Sequence, residues 1–257
     1  MIALDITILT GASRGMGLAM ARQLLSPSRH LLCISRGTHV ALAAEALQLN
    51  APLSQWSHDL SDTTGAAQHL QAWLAGLEAH SMRSATLINN AGMIPRIGPL
   101  EACPPEELSA ALRVGLEAPM QLTAAFLRAT NAWVAKGWQG PRKVLNISSG
   151  LGRHAMAAQA PYCAAKAGLD HFTRCCALDE AQKPHGARLV SLAPGVIDTD
   201  MQVQLRAGDP TAFPDLQRFV ELQRQGQLTP PDTAAARVLA WLEHPDFGTQ
   251  PVADVRD

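Results

Sequence analysis

A tyrosine and a lysine one helical turn apart are the first residues of this sequence that could act together in catalysis. Tyr162 is the only tyrosine of the 257-residue chain, and Lys166 follows it in the stretch "APYCAAKAGL". On a helix, both side chains lie on one face. A phenol with a pKa of about 10 transfers protons poorly at neutral pH, and a nearby ammonium lowers that pKa. Most such pairs are ordinary surface or core contacts, so the pair alone assigns no function.

A serine precedes this pair and extends the chemistry. Ser149 lies in "NISSG", thirteen residues before Tyr162, at the end of an apolar, strand-like run. Its hydroxyl could polarise a carbonyl oxygen while the tuned phenol gives that oxygen a proton and hydride reaches the carbon. Lys166 could also bind the ribose hydroxyls of a nicotinamide cofactor. The three residue types together predict reduction of a carbonyl group.

A glycine loop near the start of the chain predicts a dinucleotide site. "TGASRGMG" occupies positions 10–17, directly after the first apolar run, with spacing Gly11-x-x-x-Gly15-x-Gly17. Glycines allow a tight turn and a close backbone approach to a pyrophosphate, and the next helix directs free N–H groups at the phosphates. The spacing differs from the common G-x-G-x-x-G pattern. A simple helix-entry turn is the alternative.

Two arginines favour NADP(H) over NAD(H). A site for NAD carries a carboxylate after the second strand, whereas here that strand ends in "ISRG", with Ser35 followed by Arg36. Arg14 of the glycine loop could reach the same region. Guanidinium groups bind phosphate oxygens in a bidentate fork, which suits a 2′-phosphate. The alternative for Arg36 is a solvated loop charge.

Two further strand ends carry candidate cofactor contacts. In "HDLSD", Asp59 could accept from the adenine amino group and Leu60 could pack against the ring. The alternative for Asp59 is an N-cap of the next helix. In "NNAG", which spans 89–92, paired amides before small residues suggest close packing against the cofactor.

The elements that must position these residues alternate along the chain. Apolar runs alternate with longer helical stretches, which predicts a single-domain, Rossmann-type α/β fold over residues 1–257, with about seven parallel strands and helices on both faces. In such doubly wound sheets, ligands bind beyond the carboxyl ends of the strands. The predicted strands are 5–10, 30–35, 52–59, 85–90, 142–149, 187–194 and 251–255, and the predicted helices lie near 16–25, 38–49, 63–79, 105–130, 160–181 and 230–243.

Composition excludes several other classes of protein. The formal net charge of −1 gives no electrostatic footprint for nucleic acid or an anionic membrane, and no apolar run reaches the roughly 18 residues that a spanning helix needs. The start, "MIALDITILTG", is predicted to be a core strand and not a signal peptide. Five cysteines without CxxC spacing indicate free thiols in a reducing cytoplasm, and neither they nor the nine histidines predict a metal site.

The motifs in this order resemble the short-chain dehydrogenase/reductase family over essentially the whole chain. The matching stretches are "TGASRGMG", "NNAG", "NISSG", "YCAAK" and "APGVIDT". The resemblance implies Ser149, Tyr162 and Lys166 as catalytic residues and a homodimer or homotetramer joined through helices 105–130 and 160–181. With neighbouring motif residues, the predicted cofactor-binding set is Gly11, Ser13, Arg14, Gly15, Met16, Gly17, Ser35, Arg36, Asp59, Leu60, Asn90, Ala91, Gly92, Tyr162, Lys166, Pro194, Gly195, Ile197 and Thr199.

Within the family, the segments after Asn146 and Ala193 look most like the sepiapterin reductase branch, which includes bacterial benzil reductases. This resemblance implies an NADPH-dependent reductase of a vicinal dicarbonyl or an α-hydroxy-ketone. One alternative is another alcohol dehydrogenase or 3-oxoacyl reductase of the family. A second, of a different class, is a non-catalytic NADP(H)-sensing protein. The ending "VADVRD" makes Asp254 a candidate substrate contact, with a solvated or sheet-edge aspartate as the alternative.

One departure from the family and one long segment leave questions for the structure. In "RVGLEAP", Gly115 stands where the family usually has an asparagine that holds a water of the proton relay, so we expect a Ser–Tyr–Lys triad without a fourth member. The substrate pocket is expected between 150–156 and 196–228, with a mobile lid. Ordinary core packing is the alternative for that segment's apolar residues, which are Met201, Leu205, Phe213, Leu216 and Phe219.

Overall fold

The computed structural model describes residues 3–257 and contains one seven-stranded sheet. All six strand pairings are parallel, and the strand order is 3-2-1-4-5-6-7. The predicted α/β, doubly wound parallel sheet is therefore confirmed. The strands are β1 (Leu4–Thr10), β2 (Arg29–Ser35), β3 (Leu53–Ser57), β4 (Met82–Asn89), β5 (Arg142–Ile147), β6 (Arg188–Ala193) and β7 (Val252–Asp254).

Nine α-helices surround this sheet in the described part of the chain. The predicted helix 160–181 is confirmed at both ends, and segment 196–228 contains two short helices. The predicted helix near 105–130 begins at Pro105 as expected, but it contains a π turn at Arg113–Glu117 and continues to Ala135. The helices are α1 (Gly15–Leu24), α2 (Val40–Gln48), α3 (Thr63–Ala75), α4 (Pro105–Leu112), α5 (Ala118–Ala135), α6 (Ala160–Ala181), α7 (Asp200–Arg206), α8 (Leu216–Arg224) and α9 (Pro231–Glu243).

Alternating side chains along the strands divide the core into two layers. In β1, Ile6 and Ile8 lie in the layer formed with α3 and α5, whereas Leu9 lies in the layer formed with α1 and α9. Successive residues of a strand point to opposite faces, so a strand buried on both sides reads as a continuous apolar run. Within residues 3–257, no helix is both long and apolar enough to cross a membrane.

The order of the strands creates a crevice between β1 and β4. From β1 the chain proceeds through β2 to β3 on one side of the sheet, and from β4 it proceeds to β7 on the other. The loops after β1 and β4 therefore diverge at the carboxyl end of the sheet. This reversal is where doubly wound folds bind their ligands.

Helix α6 is fixed at its far end by a buried carboxylate. Glu180 accepts a hydrogen bond of 2.8 Å from the Ala187 backbone N–H and lies 3.5 Å from the buried guanidinium of Arg142. Both side chains are 2% exposed. Removing one partner of a buried ion pair is costly, which makes this contact a firm anchor for the helix that carries Tyr162 and Lys166.

The π turn brings Gly115 against α6. A π turn contains one more residue than an α-helical turn and often lies near functional sites. Gly115 is buried here, and a Cβ added to it would lie 3.1 Å from the Cβ of Ala165, between Tyr162 and Lys166 on α6. Glycine therefore allows α6 to approach the π turn at the level of the two predicted catalytic side chains.

We expect Gly115→Ala to destabilise the protein by about 1 kcal/mol, because overpacking costs about 1–3 kcal/mol and alanine regains about 1 kcal/mol of helix propensity. In an Ala165→Gly background the clash is gone, so the same substitution should be neutral or stabilising. Urea unfolding of the four proteins in this cycle measures the coupling. Gly37→Ala is the control, since no heavy atom lies within 4 Å of its added carbon. Equal effects of Gly115→Ala in both backgrounds would contradict the proposed contact.

Candidate active site

Three of the predicted site residues meet at the carboxyl end of β5. Ser149 follows β5 by two residues, and its hydroxyl accepts a hydrogen bond of 3.2 Å from the Leu151 N–H. The Lys166 ammonium donates a bond of 2.7 Å to the carbonyl of Ile147 and lies 5.7 Å from the centre of the Tyr162 ring. Tyr162 is 9% exposed and Lys166 is 4% exposed. The structure thus brings the serine, the phenol and the ammonium to one strand end.

Burial shifts the pKa values of the two α6 side chains in opposite directions. It raises the pKa of Tyr162 to about 12, and the neighbouring Ser149 hydroxyl acts against that rise. It lowers the pKa of Lys166 to about 8, against the opposing effect of the Asp170 carboxylate. Desolvation disfavours the charged form of each group. In the protein without ligands the phenol is therefore protonated at neutral pH.

The glycine loop has the shape that a phosphate requires. Gly11 has a φ of 69°, and a Cβ on it would lie 2.9 Å from the Cα of Ala91. A Cβ on Gly17 would lie 2.0 Å from the Gly11 carbonyl oxygen. Helix α1 begins at Gly15, and no side chain of the described residues caps its first turn. Its free N–H groups and positive dipole end can therefore receive an anion.

Polar side chains of neighbouring strands hold this loop. Asn90 donates through its amide nitrogen to the carbonyls of Thr10, at 2.9 Å, and Gly11, at 3.2 Å. The Ser35 hydroxyl accepts a bond of 2.8 Å from the Ala12 N–H. Asn90 and Ser35 thus fix the backbone of the glycine loop beside the crevice.

The other asparagine of "NNAG" corrects an expectation. Asn89 is 3% exposed and donates to Asn146 at 2.8 Å and to Thr123 at 3.3 Å. Its amide therefore joins β4 to β5 and α5 inside the sheet. The prediction that both amides pack against the cofactor is wrong for Asn89, because that position of the strand faces the core.

The two arginines that are predicted to bind a 2′-phosphate differ in their partners. Arg36 is exposed directly after β2. Arg14 forms an exposed ion pair of 3.0 Å with Asp200 at the start of α7. Arg36 is thus open to a phosphate, whereas Arg14 would have to leave Asp200 first.

The end of β3 corrects a second expectation. A hydrogen bond from the Ser61 N–H, of 2.9 Å, lowers the pKa of Asp59, and the Arg36 guanidinium lowers it further. The N-cap of α3 is Asp62, which accepts from the Gly65 N–H at 3.1 Å, so the N-cap alternative for Asp59 is wrong. Asp59 closes a local turn beside Arg36.

The remaining cofactor candidates lie around the crevice or beneath it. Thr199 approaches the glycine loop, with its methyl group 3.4 Å from where a Cβ on Gly15 would lie. A Cβ on Gly92 would lie 3.8 Å from the Lys166 ammonium, so glycine leaves room beside that charge. Ser13, Ala91, Pro194, Gly195 and Ile197 are half-buried in these loops, whereas the side chains of Met16 and Leu60 are buried in the two core layers.

The apolar residues of segment 196–228 form a third core above the strand ends. Leu205, Phe213, Leu216 and Phe219 are buried together and pack against Met156 and other residues, and Met201 is half-buried. We call these four side chains the lid cluster. In this structure the alternative of ordinary core packing therefore holds for the lid cluster, which closes over the loop that follows Ser149.

A glutamine beside Tyr162 is a site residue that the sequence did not reveal. Gln159 is 1% exposed, and neither atom of its side-chain amide has a hydrogen-bond partner among the described residues. It is the residue directly before α6, three positions before Tyr162. The preceding residue, Ala158, has a φ of 61°, which is rare for a non-glycine residue, and packs against the lid cluster. A buried, unpaired amide at this place is a candidate ligand for a substrate oxygen.

The carboxyl end of β7 also differs from the expected solvated aspartate. Asp254 is 6% exposed and accepts two hydrogen bonds from Arg256, at 2.7 and 2.6 Å, which lower its pKa. The solvated alternative is therefore wrong. A carboxylate already bound by an arginine is a poor free ligand, so the structure gives the predicted substrate contact no support.

The described residues contain no group of three or more histidine, cysteine or acidic side chains arranged to hold a metal ion. All five cysteines are free thiols.

Comparison with known proteins agrees with this geometry. The sequence profile of the family described as short chain dehydrogenase matches residues 5–210. The benzil reductase ((S)-benzoin forming) of Bacillus cereus is 35% identical over 240 residues, covering 93% of this chain and 94% of that protein. The sepiapterin reductase of Xenopus tropicalis is 31% identical, covering 93% and 91%. A metagenomic short-chain oxidoreductase in complex with NADP aligns with a TM-score of 0.69 at 27% identity, covering 98% and 96%. The chain belongs to the short-chain dehydrogenase/reductase family.

Proposed function

We propose that this oxidoreductase is an NADPH-dependent carbonyl reductase that transfers hydride to a vicinal dicarbonyl or an α-hydroxy-ketone. The observation that carries the proposal is the convergence of Ser149, Tyr162 and Lys166 at the end of β5, beside a loop shaped for phosphates. The 35% identity to a benzil reductase supports the substrate class.

The residues present fit a dinucleotide. A Cβ at Gly11 would clash with Ala91 and one at Gly17 with the Gly11 carbonyl oxygen, so glycines let this loop turn tightly at the start of α1, and Gly92 leaves space beside the Lys166 ammonium. We propose that the α1 N-terminus holds the pyrophosphate and that Lys166 holds the nicotinamide ribose. When bound, the cofactor supplies the hydride.

In this account the protein's own groups handle the substrate oxygen. Ser149 donates a hydrogen bond to the carbonyl oxygen and fixes its position. Tyr162 gives that oxygen its proton, which requires the phenol's pKa to fall from about 12. The protonated Lys166 lowers it, because a positive charge favours the phenolate. Since Gly115 has no side chain, we propose a triad with no fourth side chain in the proton relay.

We propose NADP(H) because the chain carries an arginine where NAD-preferring sites carry a carboxylate. Arg36 is exposed beside Asp59 at the end of β2, and its guanidinium is free to form a fork with a 2′-phosphate. Binding of NADP by a relative at 27% identity supports this choice.

We propose that Gln159 binds the second oxygen of the substrate. Its amide can both donate and accept, and Gln159 is the N-cap residue of the helix that carries Tyr162. A carbonyl or hydroxyl next to the reacting carbon would satisfy an amide that is otherwise unpaired. The partly buried side chains of Ile94, Ile97 and Met156, which pack against the lid cluster, offer apolar surface for an aromatic substituent.

We further propose a homo-oligomer in the cytoplasm that acts on small molecules and not on nucleic acid or membranes. Met120 on α5 and Leu178 on α6 are exposed apolar side chains, at 41% and 70%, which favours a partner on these helices. Five free thiols suit a reducing compartment.

We expect Tyr162→Phe to lower kcat for NADPH-dependent benzil reduction by about 10²–10⁴-fold, because general-acid catalysis contributes that much. NADPH oxidation followed at 340 nm measures the rate, and sepiapterin and a 3-oxoacyl thioester tested alongside separate the related activities. Cys175→Ser, on the exposed side of the same helix, is the control and should keep full activity. Unchanged turnover in Tyr162→Phe would refute the role of the phenol. A wild-type protein that binds NADPH but reduces none of these substrates would favour the sensing alternative.

We expect Arg36→Ala to raise KM for NADPH by about 10–100-fold and to leave KM for NADH nearly unchanged, because a charge-assisted bond to phosphate contributes about 1.5–3 kcal/mol. The matched control is Arg174→Ala, which removes the same charge from an exposed position on α6. Equal losses with both cofactors would contradict the assignment of the 2′-phosphate to Arg36.

A further inference from the structure

A buried carboxylate near the site is not among the residues to which the proposed function assigns a role. Asp170 is 1% exposed and lies on α6, one turn after Lys166. One of its oxygens, Oδ1, accepts hydrogen bonds from the hydroxyls of Ser148, at 2.5 Å, and Ser191, at 2.6 Å. The other, Oδ2, lies 3.3 Å from Nε of Arg153. A carboxylate with this many partners is built into the fold.

The partners of Asp170 belong to the elements around the predicted catalytic residues. Ser148 directly precedes Ser149, Ser191 lies in β6, and Arg153 follows in the loop after β5. The Arg153 guanidinium also donates a bond of 2.8 Å to the Ala253 carbonyl in β7. Through this one carboxylate, α6 is tied to the ends of β5, β6 and β7.

The loop after Ser149 is shaped to reach this carboxylate. A Cβ added to Gly152 would lie 2.8 Å from Oδ2 of Asp170 and 3.0 Å from the carbonyl oxygen of Lys166. Only a residue without a side chain allows the loop to approach α6 so closely here. The contact fixes the loop on both sides of Ser149, since Ser148 is bonded to the same carboxylate.

We infer that Asp170 is a positioning residue for the reaction: it orients Ser149 through Ser148, and its negative charge keeps the buried Lys166 protonated. This inference rests on the proposed function, because it assigns Asp170 a role in that reaction. Arg153 moderates the effect, since its guanidinium neutralises part of the same charge.

The surrounding charges support this assignment. Burial lowers the pKa of Lys166, and Asp170 is the charged group that opposes it. Other ionisable side chains surround Lys166. Tyr162 lies on α6 itself. The elements packed against α6 contribute Arg153 of the loop after β5, Glu106 and Glu107 of α4, Arg113 and Glu117 of the π turn, Arg188 of β6 and Asp254 of β7. Of these, Arg153 forms an ion pair with Asp170, and Asp254 lies at the far side of Arg153.

The sign of the expected pH effect follows from these charges. The reaction needs protonated Lys166, so its rate falls as pH rises through the pKa of Lys166. Asp170→Asn keeps an oxygen to accept from Ser148 and Ser191 but removes the charge, so the pKa of Lys166 falls. Arg153→Gln leaves the Asp170 charge uncompensated, so the pKa of Lys166 rises. The two substitutions should therefore move the alkaline limb of the rate profile in opposite directions.

The test is the pH dependence of kcat/KM for benzil with NADPH, from pH 6 to 10, in the wild-type protein, Asp170→Asn and Arg153→Gln. We expect the alkaline limb to move down by about one pH unit in Asp170→Asn and up by a smaller amount in Arg153→Gln, because a nearby charge shifts the pKa of a buried group on that scale. If Asp170 and Arg153 only stabilise the fold, the substitutions should lower kcat/KM at every pH and leave the pH of the alkaline limb unchanged. That result would overturn the inference, and Arg153→Gln decides the question if Asp170→Asn does not fold.

A readout without turnover separates this inference from the proposed function. The chain has four lysines, Lys136, Lys143, Lys166 and Lys183, so NMR of the protein with ¹³C-labelled lysine ε-carbons gives few signals. Lys166→Met identifies the signal of Lys166. Opposite shifts of its titration midpoint in Asp170→Asn and Arg153→Gln support the electrostatic role even if benzil is not reduced. Identical midpoints in all three proteins refute that role whatever the substrate.

Discussion

The rest of this structure depends on a buried ammonium placed one helical turn from a buried phenol. The Lys166 ammonium is buried and donates a hydrogen bond of 2.7 Å to the carbonyl of Ile147. Burial lowers its pKa to about 8. A charge in this position is tolerated only if its helix is held firmly against the strand end, since an unpaired buried charge is costly. The Glu180 contact at the far end of α6 and the Asp170 contact at its middle provide that hold. In the proposed reaction, the pKa of Tyr162 then depends on the positive charge of this ammonium and of the oxidised cofactor beside it.

Close approach of backbone to backbone is the second condition for this site. A Cβ on Gly11 or Gly17 would clash with the backbone of the loops after β1 and β4, so these glycines let the two loops pack closely. Gly115 and Gly152 similarly let the π turn and the loop after Ser149 reach α6. The glycines that matter here thus belong to two places, the loop after β1 and the surroundings of Lys166.

The sequence predicts those parts of the fold that depend on local pattern. Continuous apolar runs located all seven strands to within a few residues, and the spacing of Ser149, Tyr162 and Lys166 located the strand end where they meet. The π turn was missed because the local composition of "RVGLEAP" is that of an ordinary helix, and the close contact of Gly115 with Ala165 joins positions distant along the chain. Gln159 and Asp170 were missed for a related reason. Their importance lies in burial and in partners distant along the chain, such as Ser191 for Asp170, which no local spacing reveals.

The central claim is that Lys166 and the cofactor turn an inert buried phenol into a proton donor, and the lone tyrosine allows a direct test. Phenolate absorbance near 295 nm, titrated against pH, reports on Tyr162 alone, with Tyr162→Phe as the blank. We predict a midpoint near 12 in the free protein, above the ordinary value of about 10, and a midpoint below 10 once NADP⁺ is bound. A midpoint that stays near 12 in the NADP⁺ complex would contradict the account.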